Sequence, residues 1–279
     1  MRQKITGGKL FLSRTQKRRT QALVVRLLLI AGLLILWEFM VRSGRLSSFY
    51  TSYPSEIAAD LWEFYTSGDL YKHASITLRE AFTGLFYGTI IGVAVGVVFG
   101  QFTFLGHVLK PIITAIYGIP QLTLAPVYIL WFGIGLQSKI FLAGLMAFFN
   151  IFFATYGAIQ DMEPKLIESA HLLGANRLQT LLRVVLPTCT PWIMSGFRSA
   201  LGSSLIGAIV GEYMGAAAGF GWMVAYATSY FRMKRVMSCI VILLLVGLIL
   251  NFVLDKIESL LLKWRPATTL NVGADRESA

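Results

Sequence analysis

Apolar and polar positions alternate in long blocks along this chain. Several apolar runs extend over about 20 residues and contain few charged side chains. An α-helix rises about 1.5 Å per residue, so about 20 apolar residues cross the roughly 30 Å of hydrocarbon in a bilayer. The pattern predicts an all-α integral membrane protein with six transmembrane helices, near residues 22–41, 77–101, 108–132, 138–160, 187–211 and 236–256.

Composition and charge favour the same fold class. Of the 279 residues, 56% are hydrophobic and 14% are charged, with a mean hydropathy of +0.65, which is too little charge for an ordinary soluble domain. A net charge of +11 also suits nucleic-acid binding, but here the basic residues flank apolar runs, as the positive-inside rule predicts. Those near the two ends are Arg2, Lys4, Lys9, Arg14, Lys17, Arg18, Arg19, Lys263 and Arg265. We therefore expect both termini in the cytoplasm and no nucleic-acid partner.

The predicted spans divide the chain into three parts. These are a basic cytoplasmic tail (1–21), a transmembrane domain (22–265) and a second cytoplasmic tail (266–279). The first apolar run is as long as a full span, and no small-x-small cleavage pattern follows it. We therefore expect this run to be a retained helix rather than a cleaved signal peptide.

An inside N-terminus places residues 42–76 outside the membrane. Within them, residues 54–65 show the spacing of a short amphipathic helix, which we expect on the membrane surface. One cluster departs from the positive-inside rule, because it falls in a predicted outer loop: Arg232, Lys234 and Arg235.

Glycine recurs at every fourth position of the second predicted span, at Gly84, Gly88, Gly92, Gly96 and Gly100. These positions share one helix face, and faces of small residues allow helices in lipid to approach closely. The pattern predicts tight packing against a neighbouring helix, and a sliding surface during conformational change is the alternative. In the third span, Pro120 and Pro126 each remove a backbone donor and predict a bend.

A patterned polar segment, residues 161–187, interrupts the apolar runs. Pro164 suits a first helical turn, with Asp161 or Glu163 as the cap, and Gly174 is a natural helix stop. Asn176 then caps a second helix whose apolar face consists of Leu178, Leu181, Leu182, Val185 and Leu186. The segment predicts a short projecting helix, a glycine hinge, a surface helix and a return into the membrane at Pro187.

This segment resembles the EAA loop of ABC importer permeases. The family pattern reads E-A-A, three residues, G, nine residues, I, one residue, L-P. It is matched here by Glu168, Ser169, Ala170, Gly174, Val184, Leu186 and Pro187, with serine replacing one alanine and valine replacing isoleucine. Residues 118–135 and 211–227 also resemble segments of the nitrate, sulfonate and taurine branch of these permeases.

The resemblance implies a type I ABC importer architecture in which the EAA helix is a cytoplasmic coupling helix. Glu168 would be its acidic contact with an ATPase subunit, Ala170 would allow close approach, and Gly174 would shape the following turn. The implied assembly contains two ATPase subunits, a second permease chain (most simply an identical copy) and an extracytoplasmic substrate-binding protein in a bacterial inner membrane. The implied cargo is a small organic anion or oxyanion, and some members of the branch carry molecules like thiamine precursors.

The residues themselves agree that ATP chemistry belongs to a partner. The sequence has no G-x-x-x-x-G-K-[ST] loop, and so no phosphate cradle of that kind. We therefore expect a permease subunit that is not itself an enzyme, with no catalytic residue, cofactor or metal of its own. ATP and Mg²⁺ are expected on the ATPase.

Two charged residues within the fifth predicted span are candidates for the translocation pathway. Arg198 lies eleven residues beyond Pro187, about 16 Å along a helix and so near mid-membrane. It either attracts an anionic substrate or pairs with an acidic group of another helix. Glu212, at the outer end of the same span, is either a gate contact or a solvated carboxylate.

Two other classes of protein are less consistent with the sequence. An intramembrane protease needs its histidine or metal ligands within the membrane, but His73, His107 and His171 fall at or beyond the predicted span ends and no H-E-x-x-H is present. A secondary transporter or channel usually shows internal repeats or interrupted helices around a midplane site, and no repeat is visible. The two cysteines, Cys189 and Cys239, are predicted near opposite faces, too far apart for a disulfide.

Overall fold

The computed structural model describes residues 5–261, with side chains from residue 20 onward. The ordered elements in this range are all helical. The helices are α1 (Ile5–Arg42), α2 (Ser48–Thr51), α3 (Pro54–Thr66), α4 (Asp69–Gln101), α5 (Thr103–Tyr117), α6 (Ala125–Phe132), α7 (Leu136–Gln160), α8 (Pro164–Leu172), α9 (Arg177–Thr180), α10 (Leu186–Gly215), α11 (Phe220–Ser229) and α12 (Met233–Leu261). A 3₁₀ turn (Gln121–Leu124) precedes α6, and a π-helical turn (Leu181–Val185) precedes α10.

Within residues 5–261, five helices are long and apolar enough to cross a membrane, and a bent pair makes a sixth span. The five are Thr20–Arg42, Asp69–Gln101, Leu136–Gln160, Arg177–Gly215 and Met233–Leu261. The bent pair is Thr103–Tyr117 with Gln121–Phe132. The prediction of an all-α, six-span membrane protein is confirmed. The predicted tails remain predictions, and residues 266–279 lie outside the described range.

The described chain forms two compact units: residues 5–70 with 224–241, and residues 71–223 with 242–261. In the larger unit, α7 packs against both α4 and α10. The glycines of α4 face α7 so closely that a Cβ at Gly84 would lie 2.7 Å from the backbone nitrogen of Gly144. At Gly100 it would lie 2.8 Å from the Cγ2 of Ile159. The predicted tight packing of the glycine face is confirmed.

The fifth span also presents glycines to α7, which the sequence analysis did not single out. A Cβ at Gly207 would lie 2.9 Å from the Cα of Ala143, and one at Gly211 would lie 3.0 Å from the Cγ of Lys139. The central helix is therefore held between two glycine-bearing faces. This close approach brings polar side chains of α4, α7 and α10 within reach of one another.

The third span is broken rather than gently bent. Its two halves meet at 74°, and Pro120 lies at the break, whereas Pro126 occupies the first turn of α6 without kinking it. The Gln121 side chain donates to the carbonyls of Ile116 (2.8 Å) and Ile119 (3.0 Å), and its own oxygen accepts from the Tyr128 hydroxyl (3.0 Å). Carbonyls freed by a break at membrane depth need such partners, and here one amide from the same segment supplies them.

The chain does not turn at Pro187, so the predicted separate surface helix is wrong. The α9 helix, the π-helical turn and α10 form one continuous helix over Arg177–Gly215. In a regular α-helix the ring of Pro187 would clash with the carbonyl of Arg183, four residues earlier. The wider π-helical turn immediately before α10 accommodates the proline, so the span starts ten residues earlier than predicted.

In the smaller unit, α3 is the predicted amphipathic helix, but part of its apolar face packs within the protein. Ile57 and Phe64 are buried, as is Asp60. Arg235 places its Nε 3.0 Å from the Oδ2 of Asp60 and its guanidinium 4.3 Å above the ring of Phe64. Arg235 is one of the residues that depart from the positive-inside rule, and in the structure it is paired with the carboxylate of Asp60.

The close packing of α4 on α7 predicts that a single methyl group at Gly88 is harmful. In Gly88→Ala the new Cβ would lie 2.8 Å from the Cβ of Ala147 and 3.0 Å from the backbone nitrogen of Phe148. Overpacking of this kind costs about 1–3 kcal/mol. Thermal unfolding in detergent should therefore show a clear loss of stability.

The matched control is Gly247→Ala in α12, where a Cβ would meet nothing within 4 Å. Alanine is the better helix former, so this change should be neutral or stabilising by up to about 1 kcal/mol. Equal stability of the two variants would contradict the packing described here.

Candidate functional site

The EAA-like segment begins with helix α8, whose limits agree with the sequence prediction. Glu163 is the residue before the helix and Pro164 occupies the first turn, although no side-chain capping bond forms there. The helix ends at Leu172, and Gly174 adopts φ +81°, a conformation that favours glycine. The backbone N–H of Ala175 donates to the carbonyl of Ala170 (3.0 Å), which closes the turn behind the helix.

One face of α8 is anchored inside the larger unit. Ile167 packs against a buried cluster at the end of α7 and the start of α10, which contains Ala158, Ile159, Met162, Val185 and Cys189. Ala170 is itself 6% exposed. The small side chain of Ala170 therefore allows a close approach within this chain.

The opposite face of α8 is open. Glu168 and Ser169 are exposed, and the described residues provide Glu168 with no ion-pair partner. Leu172 and Leu173 are each 88% exposed at the end of the helix. Apolar side chains this exposed next to a free carboxylate are typical of a protein–protein contact. Sequence reasoning missed the two leucines, although their position just before Gly174 was visible.

The remaining EAA-like residues follow the hinge. The side chain of Asn176 accepts from the backbone of Gln179, and the Gln179 side chain accepts from the backbone of Asn176, both at 2.9 Å. This capping box fixes the direction in which the chain leaves Gly174. Val184 and Leu186 are half-buried in the π-helical turn and the start of α10, and Pro187 is exposed. Because one continuous helix follows, α8 is connected directly to a full membrane span.

A second candidate site surrounds Glu212, which is fully buried. Its Oε1 accepts from the Thr77 hydroxyl (2.6 Å), and its Oε2 accepts from the backbone N–H of Gly221 (2.7 Å). The suggestion of a solvated carboxylate is therefore wrong. Both carboxylate oxygens are occupied within the fold, and they tie α10 to α4 and to the start of α11.

The loop between α10 and α11 is closed over this carboxylate. The backbone N–H of Gly219 donates to the Nδ1 of His73 (2.9 Å), and that of Phe220 donates to the Thr77 hydroxyl (2.9 Å). Gly219 has φ +107°, and a Cβ there would overlap the carboxylate of Glu212. Gly219 and Gly221 are thus explained by a backbone that folds over a buried acid.

Lys139 is the buried cation of the same region and is 1% exposed. Its ammonium donates to three backbone carbonyls, those of Ile134, Gly135 (3.0 Å) and Gly215. It therefore joins the loop before α7 to the end of α10. Charge burial is costly unless every donor is satisfied, and here all three N–H groups have acceptors.

Glu80 completes the cluster on α4, where it is 3% exposed. Its Oε2 is buried without a hydrogen-bond partner among the described residues, whereas both oxygens of Glu212 accept hydrogen bonds. A buried carboxyl group is costly as an anion when no donor faces it, so we infer that Glu80 carries a proton and that Glu212 is the carboxylate. With this proton, one carboxylate and one ammonium remain, and the buried cluster is neutral.

Sequence reasoning identified Glu212 alone of this cluster. His73, Thr77, Glu80 and Lys139 lie at or beyond the predicted ends of their spans, and α4 in fact starts eight residues before the predicted start. His73 is buried within this helix rather than beyond it. Their spacing on α4, from 73 to 77 and 80, was the available signal, because it places three polar side chains on one helix face.

The other pathway candidate, Arg198, is paired with two acids of α12. Its Nη2 lies 2.6 Å from the Oδ1 of Asp255 and 2.7 Å from the Oε2 of Glu258. Both acids are in the last three turns of α12. Of the two alternatives raised by the sequence, pairing with another helix is the one seen in this structure.

Comparison with known proteins agrees with this architecture. Residues 88–263 match the family described as the binding-protein-dependent transport system inner membrane component. The chain belongs to this family. It is therefore a permease subunit of an ABC importer, a multi-pass membrane protein that works with an ATPase and a substrate-binding protein.

Relatives match the permease over most of its length. A protein named for aliphatic sulfonate transport, SsuC of Bacillus subtilis, is 32% identical over 239 residues, which are 86% of this chain and 87% of the relative. The riboflavin transport system permease protein RibX of Chloroflexus aurantiacus is 33% identical over 83% of this chain and 87% of its own. The taurine transport system permease protein TauC of Escherichia coli is 27% identical, covering 84% and 87%.

A solved structure shares the fold. A chain of the MetNI methionine ABC transporter in an inward-facing conformation superimposes with a TM-score of 0.60 at 24% identity. The match covers 68% of the permease and 94% of that chain. The predicted type I importer architecture is thereby supported as a fold.

The buried cluster predicts that Glu80 and Glu212 respond differently to the same change. In Glu80→Gln a neutral amide replaces a protonated, neutral carboxyl group, so the loss of stability should be below about 1 kcal/mol. In Glu212→Gln the new amide group faces Thr77 or Gly221, both of which donate. A buried donor left unsatisfied costs about 1–3 kcal/mol, and thermal unfolding of the two purified variants measures the difference.

The paired substitutions are matched because each removes one carboxyl group from the same cluster. If Glu80→Gln proved as harmful as Glu212→Gln, the assignment of the proton to Glu80 would be wrong.

The ion pairs of Arg198 predict a structural rather than a transport effect. Arg198→Ala should lower stability by about 1 kcal/mol or less, since the partners are partly exposed. Replacing all three groups together (Arg198→Met, Asp255→Asn, Glu258→Gln) should restore it. A tenfold fall in anion uptake per assembled complex in Arg198→Ala, with normal assembly, would instead make Arg198 a pathway residue.

Proposed function

We propose that the open face of α8 is the docking surface for the cytoplasmic ATPase. A single observation carries the proposal: the helix is anchored on one face by Ile167 and Ala170 and free on the other, where Glu168, Leu172 and Leu173 are exposed. A helix that presents a carboxylate and two unpartnered leucines fits a groove with a basic edge and an apolar floor. The EAA-like residues Ser169 and Gly174 belong to the same surface and its turn.

Docking on α8 places residues 161–187 in the cytoplasm. Both termini then lie inside, and the buried cluster around Glu212 lies near the outer face. The basic residues before the first span agree with this orientation. Labelling of an engineered cysteine at position 173 from one side of the membrane would test the orientation directly.

Movement of α8 is passed to the membrane spans through covalent and packed connections. Val184, Leu186 and Pro187 lie in the continuous segment that joins α9 to α10, and Ile167 packs where α7 ends and α10 begins. A displacement of α8 therefore acts on two spans at once. Helix α4 moves with them, because its glycine face packs directly against α7 and separation would lose that packing. We infer that this rigid set rocks as a body during alternating access.

The active assembly in this proposal has two permease chains and two ATPase subunits. A second identical chain is the simplest partner, and an extracytoplasmic binding protein delivers the solute. ATP and Mg²⁺ bind to the ATPase, and this chain contributes no catalytic residue, cofactor or metal ligand. The solute moves inward when hydrolysis by the partner resets the docked helices.

We propose a small organic anion as the solute, with an aliphatic sulfonate as the first to be tested. Support comes from relatives named for aliphatic sulfonate and taurine transport. Arg198 does not add to this support, because Asp255 and Glu258 already neutralise it. A relative named for riboflavin transport makes a flavin the second solute to be tested.

Glu168→Lys tests the docking surface. Charge reversal on the exposed face should abolish co-purification of the ATPase and reduce ATP-dependent uptake of a labelled aliphatic sulfonate by at least tenfold. The assay uses proteoliposomes containing the permease, its ATPase and its binding protein. Folding should be unaffected, because Glu168 makes no ion pair within the described chain.

Asp161→Lys is the control, since it makes the same charge change at an exposed residue just before α8. It should leave co-purification and uptake near the unmodified level. Normal attachment and normal uptake in Glu168→Lys would remove Glu168 from the docking surface. Uptake that is normal without any ATPase would exclude the proposed mechanism altogether.

A further inference from the structure

A cleft of about 540 Å³ lies behind helix α8, on the side away from the proposed docking face. The end of α4 forms one wall, and the segment from Ile167 to Val185 forms the other. Its volume lies within the range of ordinary ligand sites, about 300–1,000 Å³. Apolar residues make up most of the lining: Val97, Val98, Phe102, Ile167, Leu178, Leu181 and Val185.

The polar part of the lining contains an arginine and a histidine without carboxylate partners among the described residues. Arg177 and His171 both line the cleft and are exposed. In the part of the chain that the structure describes, neither forms an ion pair with a carboxylate. The capping box of Asn176 and Gln179 fixes the backbone at Arg177, the first residue of α9. The remaining polar lining, Gln101 and Thr180, provides uncharged hydrogen-bonding groups.

The apolar wall belongs to a membrane span. Val97, Val98 and Gln101 are in the last turns of α4, a candidate span that ends at Gln101. Val98 and Phe102 are exposed, at 41% and 61%, and so is Leu178 at 63%. The cleft therefore has a hydrocarbon-facing side at the level where α4 leaves the bilayer. Arg177 and His171 lie on the loop side, where head groups are found.

We propose that this cleft binds an anionic phospholipid of the cytoplasmic leaflet. The phosphate meets Arg177 and His171, and an acyl chain lies along Val97, Val98 and Phe102. Basic pockets between membrane helices on the cytoplasmic side are suited to anionic head groups. A soluble protein partner fits less well, because the wall formed by α4 lies at membrane depth. The proposal rests on the cytoplasmic placement of residues 161–187.

A lipid in this position fills the space between α8 and the end of α4. It would keep Ile167 of α8 packed against the end of α7 while the other face of α8 binds the ATPase. Helix α8 would then contact lipid on the face of Ile167 and the ATPase on the face of Glu168. Anionic lipid would in this way favour productive docking without contacting the ATPase.

Lipid retention tests the site independently of transport. The permease–ATPase complex is purified in mild detergent, stripped of lipid, incubated with phosphatidylglycerol or phosphatidylcholine, and analysed by native mass spectrometry. The unmodified complex should retain phosphatidylglycerol in preference to phosphatidylcholine. Arg177→Gln should reduce phosphatidylglycerol retention by about fivefold, the effect of one basic residue at an anionic lipid.

Arg183→Gln is the matched control, because it removes the same charge from the same segment at a residue that does not line the cleft. It should retain lipid normally. Val98→Trp provides a second variant, since it fills the cleft without changing charge and should lower retention of phosphatidylglycerol.

Three results would overturn the proposal. The first is equal retention of the two lipids, and the second is an equal loss of retention in Arg177→Gln and Arg183→Gln. The third is a photo-crosslinker at position 98 that labels the ATPase instead of lipid, which would make the cleft a protein contact. None of these results depends on whether Glu168 docks the ATPase, so failure of the docking proposal would remain distinguishable.

Discussion

Backbone-to-backbone contact of α7 with α4 and α10 is the constraint on which the rest of this structure depends. In lipid, helices gain no hydrophobic energy by associating, so close van der Waals packing must hold them together. The glycines at positions 84 to 100 and at 207 and 211 remove the side chains that would keep these helices apart. Once the three helices are in contact, their remaining side chains have few alternative arrangements. Both candidate sites are built on these helices and are held in place by the same packing.

The buried charges near Glu212 are possible only because the helices are this close. Glu80, Lys139 and Glu212 come from three different helices, and each would be costly alone in an apolar environment. Thr77 and the loop backbone donate to Glu212, and backbone carbonyls accept from Lys139. We read the cluster as a fastening that holds the 216–221 loop and the ends of three spans in one arrangement. Its neutrality depends on the proton that we assign to Glu80.

Helix α8 lies where α7 ends and α10 begins, and its two faces differ in burial. Its inner face is fixed by Ile167 and Ala170, and its outer face exposes Glu168 and two leucines. The helix is followed by Gly174, whose positive φ is a conformation that glycine adopts easily. A short rigid helix next to such a turn is well suited to transmit force. In the proposed mechanism, the continuous helix over Arg177–Gly215 would convert a displacement of α8 into movement of a full span, because the helix is not interrupted at Pro187.

The sequence by itself determined the number of spans, the glycine face, the limits of α8 and the resemblance of residues 168–187 to the EAA loop, because hydropathy, residue size and capping are local properties. It placed Arg198 and Glu212 on the right helix but left their roles open. Only the tertiary structure showed that Asp255 and Glu258 neutralise Arg198, and that Glu212 is sealed beneath Gly219. The same is true of the helix that continues through Pro187. The contacts of Arg198 and of Glu212 with Thr77 join residues 57 to 135 positions apart along the chain, and no local pattern encodes such distances. The continuous helix depends on how a wider helical turn accommodates one proline.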